Sequence, residues 1–257
     1  MDIVLIGSGN VATVFGRKSL AAGHRIIQVY NRNADHANML ATKLGTTSTS
    51  YISSIERKAD LMIIALRDEA VSNFVQEIGE IKSIAVHTAG ALSINEVRGL
   101  NKSFGVLYPL QSLRKEIEIL PPLPILVDGN NAVTRKQLND FASTFAENIT
   151  EADDETRLKY HLAATIVNNF TNHLFSMAAS FCKKENIQFS VLQPLMEETV
   201  MRLRNTTPQN AQTGAAIRND RNTIEKHQQL LENYPDILKY YNLFTEEIQQ
   251  SALRLPL

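Results

Sequence analysis

Ile3-Val4-Leu5-Ile6-Gly7-Ser8-Gly9-Asn10-Val11-Ala12 sets the architecture of this chain. The apolar run from Ile3, with Asp2 before it, reads as a buried strand that turns at Gly7 into a helix expected over Val11–Ala22. In such a pattern Gly7 permits the tight turn, Gly9 lets backbone approach a pyrophosphate, and Ala12 replaces a third glycine while still letting helix and strand pack closely. A helix opening near Asn10 presents free N–H groups and its positive end to phosphates. Alone, Gly-x-Gly-x-x-Ala is a weak pattern whose rival is an ordinary glycine turn. Set between a strand and a helix, with a second strand following, it reads as a dinucleotide loop. Gly7, Ser8, Gly9, Asn10, Val11 and Ala12 are therefore the first candidate cofactor contacts.

Beyond this loop, short apolar runs alternate with helical patterns. Asp2–Ile6, Arg25–Tyr30, Leu61–Ala65, Ser83–His87 and Phe104–Tyr108 read as strands covered on both faces. Val11–Ala22, Ala34–Leu44 and Glu69–Ile78 read as the helices between them, and a strand near Pro124–Val127 and a helix near Thr134–Ala146 close the set. Strand–helix alternation implies an α/β fold with a doubly wound, Rossmann-like parallel sheet. Of the 11 glycines, only Gly214 follows Gly129. From Asp153 onward the pattern is helical: a long helix through Leu158–Lys184, then Val191–Arg204, Thr223–Asn233 and Ile237–Leu253, with Pro194 in a first turn. Two domains are expected, a nucleotide-binding domain over 1–152 and an all-α domain over 153–257.

The second strand selects the nucleotide. NAD sites usually carry an Asp or Glu near its end to bond the ribose hydroxyl, whereas this strand ends Tyr30-Asn31-Arg32-Asn33 with no acid before Asp35. Arg32 can meet a 2′-phosphate that a carboxylate would repel, so Asn31 and Arg32 point to NADP(H). Ala65, Leu66, Arg67, Thr88 and Gly90 follow later strands and should line the crevice at the sheet's carboxyl edge. Arg67 reads equally well as a phosphate ligand or as half of an exposed ion pair.

Composition narrows the class further. The 257 residues carry 26 Lys+Arg against 27 Asp+Glu, a net charge of -1, which argues against a nucleic-acid partner. The single cysteine, Cys182, excludes an internal disulfide framework and reads as a core thiol. The histidines lack metal-ligand spacing. Met1-Asp2-Ile3-Val4 lacks the basic start and long apolar stretch of a signal peptide, and no run approaches the roughly 18 apolar residues of a membrane span. A cytoplasmic protein without membrane contacts is expected.

The glycine loop, Asn31-Arg32, His87-Thr-Ala-Gly-Ala-Leu-Ser93 and Tyr108-Pro-Leu-Gln-Ser112 together resemble one family. It is the family of NADP oxidoreductases with a Rossmann-like first domain and an uncharacterised helical second domain. His161-Leu-Ala-Ala, running to Asn169, and Thr213-Gly-Ala-Ala-Ile-Arg218-Asn-Asp220, running to His227, fit its pattern in the second half. More distantly the chain resembles pyrroline-5-carboxylate reductase, deazaflavin-dependent NADP reductase and the 6-phosphogluconate dehydrogenase superfamily. The resemblance implies that the helical domain contacts substrate and forms a homodimer. Three departures stand out. Tyr108 replaces a histidine common in the family, Arg67 places a long cation where the family has a small residue, and the superfamily's catalytic Lys–Asn pair is not evident near Lys159.

On the long helix, His161, Thr165, Asn168 and Asn172 are spaced four, three and four apart and should share one face, with Asn169 and His173 beside it. Solvation or local capping is the plain reading of such polar residues. Facing a nicotinamide, they could orient a carbonyl or imine, with His161 as general acid. The candidate catalytic set is His161, Asn169 and Tyr108. Thr213-Gly214, as a glycine that lets a helix N-terminus approach a ligand, and a cluster of Arg218, Asp220 and His227 are further candidates. The expectation is an NADP(H)-dependent oxidoreductase acting on a small oxo acid or imine held between the domains. The rivals are a non-catalytic NADP(H)-binding sensor or scaffold and an enzyme that exchanges hydride with a deazaflavin.

Overall fold

The computed structural model describes residues 1–119 and 121–254. Its centre is an eight-stranded sheet in the order β3-β2-β1-β4-β5-β6-β7-β8. The strands are β1 (Asp2–Ile6), β2 (Arg25–Tyr30), β3 (Thr47–Thr49), β4 (Leu61–Ile64), β5 (Ile84–His87), β6 (Phe104–Pro109), β7 (Ile125–Gly129) and β8 (Ile149–Glu151). Helices α1 (Asn10–Ala21), α2 (Ala34–Leu44), α3 (Asp68–Ile78) and α4 (Ala132–Ala142) join them. The reversal of strand order beside β1 is a topological switch point, where crevices form at the carboxyl ends of such sheets.

Alternation along the strands builds two cores. Ile3 and Leu5 face one way with Phe15, Leu40, Leu107 and Phe141. Val4 and Ile6 face the other with Met62, Ile64, Val71 and Phe74. Ile3, Val4, Leu5 and Ile6 are all fully buried, and burying such a side chain contributes about 1.5–3 kcal/mol. That explains why β1 lacks the polar alternation of a half-exposed strand.

The sheet departs from wholly parallel at one place, since β6 and β7 pair antiparallel. Leu110–Pro124 is proline-rich and its described residues contain no crossover helix, so the chain can only return antiparallel. Short strands β3 and β8 are additions to the strands expected from sequence. Helix α4 also stops at Ala142, short of the expected Ala146.

Past β8 the described elements are helical. They are α5 (Asp154–Ala164), a π-helical turn (Thr165–Phe170), α6 (Thr171–Lys184), α7 (Gln193–Arg202), α8 (Pro208–Ala211), α9 (Arg221–Leu230) and α10 (Pro235–Arg254). Pro194 lies in the first turn of α7, as expected. The expected unbroken helix over Leu158–Lys184 is therefore interrupted. Two compact units result, Met1–Phe170 and a second from Thr171 onward, so α5 and the π turn belong with the sheet. Among the described residues, no helix is long and apolar enough to cross a membrane.

Candidate functional site

The cofactor loop combines a tight crossing with an open rim. Gly7 has φ +111°, and its N–H donates to the Tyr30 carbonyl at 2.7 Å. A Cβ there would lie 2.4 Å from the Ala65 carbonyl oxygen. Gly9 is the opposite case: a Cβ there would meet nothing within 4 Å. Helices α2, α4 and α5 are capped by the side chains of Asn33, Asn131 and Asp153, whereas α1 starts at Gly9 with no side-chain cap and no acid in its first turn. The first N–H groups of α1 are thus left for a ligand, under the positive end of the helix dipole. This open, positive cradle fits a dinucleotide diphosphate.

Of the other loop residues, Ala12 is fully buried against the sheet and Val11 packs beside it. Their side chains serve packing, which leaves backbone for the ligand. Ser8 Oγ accepts from Asn31 Nδ2 at 2.7 Å, and Asn31 Oδ1 accepts from the Asn33 N–H at 2.9 Å. Asn31 thereby braces the loop to the end of β2. Asn10 Oδ1 accepts from the Lys115 N–H at 3.2 Å.

Two cavities flank this brace. One, of about 470 Å³, is lined by Gly7–Gly9, Tyr30, Asn31, Arg32, Ala65, Leu66 and Arg67, with Ile52, Ala70 and Phe74 as an apolar wall suited to a nucleobase. Arg67 Nη1 lies 3.9 Å from Glu69, and both side chains are exposed, so the ion-pair reading of Arg67 holds alongside its place on the cavity wall. The other, of about 290 Å³, is lined by Ser8, Asn31, His36, Lys43 and Lys115 among others. The last three are not among the residues expected from sequence. His36 and Lys43 are seven residues apart on α2, a spacing that could have flagged them. Lys115 comes from a loop that no local pattern links to β1.

A second group gathers at the ends of β5 and β6. Thr88 is held to the Ile64 carbonyl by its N–H at 3.2 Å and its hydroxyl at 3.5 Å. Tyr108 Oη and His161 Nδ1 are hydrogen-bonded at 2.8 Å, with their rings edge-on. Gly90 lies directly against the pair: a Cβ there would stand 2.7 Å from His161 Nδ1 and 3.0 Å from Tyr108 Cζ. Burial pushes the Tyr108 phenol above its ordinary value, while the Arg157 cation pulls it down. The phenol therefore remains protonated at neutral pH.

Arg157 and Asp154, one and two turns before His161 on α5, are not among the residues expected from sequence. The i, i+3, i+7 spacing places all three on one face. Arg157 is 1% exposed and bonds Asp154 Oδ1 at 2.7 Å and the Leu92 carbonyl. His87 is fully buried. Its pKa is pushed down to about 4 by desolvation and by Arg157, so it stays neutral, with Nδ1 accepting from the Ala89 N–H and Nε2 donating to the Ser93 carbonyl.

Other expected groupings do not assemble. The π turn widens the helix by one residue, rotating the residues beyond it by about 100°. The 3.6-residue count that aligned His161 with Asn168 and Asn172 therefore fails. Thr165 bonds back to the His161 carbonyl, and Asn169 is exposed on the π turn and is not hydrogen-bonded to the Tyr108–His161 pair. In the second unit, Gly214 has φ +110° and a Cβ there would meet nothing within 4 Å. The glycine thus serves a turn, and α9 starts later, capped by Asp220 through Thr223. His227 bonds Tyr241, so the Arg218–Asp220–His227 cluster is not formed by these contacts. Cys182 is buried.

A Rossmann-like sheet with an uncapped glycine loop and a hydrogen-bonded Tyr–His pair at its carboxyl edge defines a dinucleotide-dependent enzyme class. Comparison with known proteins agrees. The family described as "NADP oxidoreductase coenzyme F420-dependent" matches residues 2–87, and a domain of unknown function, DUF2520, matches residues 123–248. A solved structure from Bacteroides fragilis, assigned as an NADP oxidoreductase, is 36% identical, covering 97% of this chain and 98% of that one at a TM-score of 0.89. The chain belongs to this NADP oxidoreductase family, and NADP(H) is its cofactor. The fold is shared with a 1-pyrroline-5-carboxylate reductase from Streptococcus pyogenes, at 11% identity, 97% and 98% coverage and a TM-score of 0.68. It is also shared with an imine reductase from Myxococcus stipitatus in complex with NADP+, at 13% identity, 98% and 94% coverage and a TM-score of 0.67. No curated protein sequence matches the chain.

Proposed function

We propose that this protein uses NADPH to reduce a small oxo acid or cyclic imine at the carboxyl edge of the sheet. The observation that carries the reading is the Tyr108–His161 hydrogen bond, held against Gly90. Bound NADPH would supply the hydride. Reduction of a carbonyl or imine also needs a proton. His161 is the general acid, and the Tyr108 phenol shares its proton through the 2.8 Å contact. Gly7–Ala12 hold the diphosphate by backbone, and Arg32 receives the 2′-phosphate. Asn31 braces the loop, and Ala65, Leu66, Arg67, Thr88 and Gly90 line the path to the reacting end. Asn169, exposed on the π turn, is assigned as a further substrate contact. The neighbours with reductase names support the substrate class by analogy of fold.

Titration of NADPH and NADH, followed by turnover across a panel of cyclic imines and oxo acids, tests this. A charge-assisted hydrogen bond contributes about 1.5–3 kcal/mol, roughly 10- to 100-fold in affinity. Arg32→Ala should weaken NADPH binding by that factor and leave NADH within about twofold. Equal losses would remove Arg32 from the 2′-phosphate. Tight NADPH binding without turnover of any panel member would favour the sensor reading.

The helical region is also proposed to pair with a second copy. In the second unit only three described apolar side chains, Cys182, Ile224 and Leu231, are buried, while Ile187, Val191, Leu195, Val200 and Leu230 are each more than half exposed. Apolar surface of this kind marks an interaction face. Light scattering should give twice the chain mass of 28.7 kDa; a monomer across the micromolar range would refute the pairing.

A further inference from the structure

The Ala89–Ile94 loop is held from two sides. From β5, buried His87 binds both ends of the turn, accepting from the Ala89 N–H at 3.2 Å and donating to the Ser93 carbonyl at 3.1 Å. From α5, Asp154 Oδ1 accepts the Ile94 N–H at 2.8 Å, while Arg157 bonds the Leu92 carbonyl. Arg157 and Asp154 are themselves joined at 2.7 Å. The loop between these four anchors carries Gly90, the residue against which Tyr108 and His161 close.

We propose that Arg157 is a positioning residue: through Leu92 and Asp154 it latches the Ala89–Ile94 loop to α5 and so fixes the gap in which Gly90 meets the Tyr108–His161 pair. This rests on the reading of that pair as the chemical centre. Stability alone does not call for an arginine here. The guanidinium is 1% exposed, and its Nε and one terminal nitrogen have no hydrogen-bond partner among the described residues. A buried ion pair replaced by apolar groups of similar volume is often neutral or stabilising. What the arginine provides is one terminal amino group, Nη2, whose two N–H bonds reach the Leu92 carbonyl and the Asp154 carboxylate at once from the end of a long stem. One side chain thereby couples a helix to a loop 65 residues earlier in the chain. Because His161 sits one turn further along the same helix, the latch sets its distance from Gly90. The same cation lies close enough to Tyr108 to oppose the effect of burial on the phenol.

Arg157→Met tests the latch in the full-length protein without substrate. Met fills much of the same volume, and the Asp154 carboxylate left behind is 39% exposed, so it stays hydrated. Backbone amide hydrogen exchange should quicken at least tenfold at Ala89 and Ile94 while remaining within twofold in β1 and α1. The imidazole resonances of His161 should shift. Arg157→Lys, which keeps the charge but not the planar amino group that aims two N–H bonds at both partners, should fall between. Should the methionine variant fail to fold, Asp154→Asn removes the charge and keeps the shape, and should quicken Ile94 exchange about threefold or more. Exchange within twofold of wild type in the variant that folds overturns the latch, as does an equal speeding throughout the first unit. Faster exchange with unchanged turnover of an accepted substrate leaves the latch standing and removes the pair from the chemistry. Absence of any NADPH-dependent turnover bears on the proposed reaction alone.

Discussion

Gly7→Ala is expected to weaken NADPH binding roughly 100-fold and to lower the melting temperature, whereas Gly9→Ala weakens binding strongly and leaves melting unchanged. The difference lies in what each added methyl meets. At Gly7 it would stand 2.4 Å from the Ala65 carbonyl oxygen, in a backbone with φ +111°. Neither atom can step aside, because the Ala65 N–H is bonded to the Ile6 carbonyl at 2.8 Å inside the β1–β4 pairing. A residue forced into such a backbone region costs on the order of 1–3 kcal/mol before any clash is counted. The loop must therefore move, and the first turn of α1 with it. At about 2.7 kcal/mol, the loss in affinity would reach roughly 100-fold. At Gly9 the methyl meets no protein atom within 4 Å, so the fold does not register it. It projects instead into the space where the proposed diphosphate approaches. Fluorescence titration with NADPH and a thermal melt on both variants decide between these outcomes. A Gly9→Ala variant with wild-type affinity would move the diphosphate away from this loop.

These two glycines are legible in the sequence because their meaning is local: strand end, turn and helix start lie within ten residues. The same holds for α2, whose limits follow from the Asn33 cap and Gly45 in a left-handed conformation. Locality also marks where such legibility ends. Thr47–Thr49 and Ile149–Glu151 are three-residue outer strands with little apolar character; they exist because a neighbouring strand offers hydrogen bonds. The direction of β7 depends on Pro121, Pro122 and Pro124 removing a crossover helix. The π turn shows no signature in Thr165–Phe170, yet it decides which polar residues of the long helix share a face. Tyr108 and His161 can be named individually from the family resemblance, but not as a bonded pair 53 residues apart. Arg157 carries no signal of its own, because an arginine four residues before a histidine ordinarily reads as solvated helix surface. Only its partners, Leu92 and Asp154, give it a role.

Gly90→Ala should remove turnover of any accepted substrate while leaving both fold and cofactor affinity nearly intact. Here the added methyl meets flexible side chains: 2.7 Å to His161 Nδ1, 2.9 Å to its Cγ and 3.0 Å to Tyr108 Cζ. Contacts this short cannot persist, and no positive φ adds strain, so the two rings must move apart and their 2.8 Å hydrogen bond breaks. Loss of a positioned general acid typically lowers kcat by about 10²–10⁴-fold. Gly90→Ala should reach that range, and Tyr108→Phe, which deletes the hydroxyl without displacing either ring, should approach it. The double variant then discriminates. If the glycine matters because it admits the pair, combining Gly90→Ala with Tyr108→Phe adds little to either loss, since residues acting as one unit are strongly non-additive. Multiplying losses would mean that Gly90 acts on something else, such as the approach of the nicotinamide. His161→Ala adds a check on stability: opening space beside Gly90 should relieve the crowding, so His161→Ala with Gly90→Ala should melt no lower than Gly90→Ala alone. A double variant that melts several degrees lower would place the crowding elsewhere.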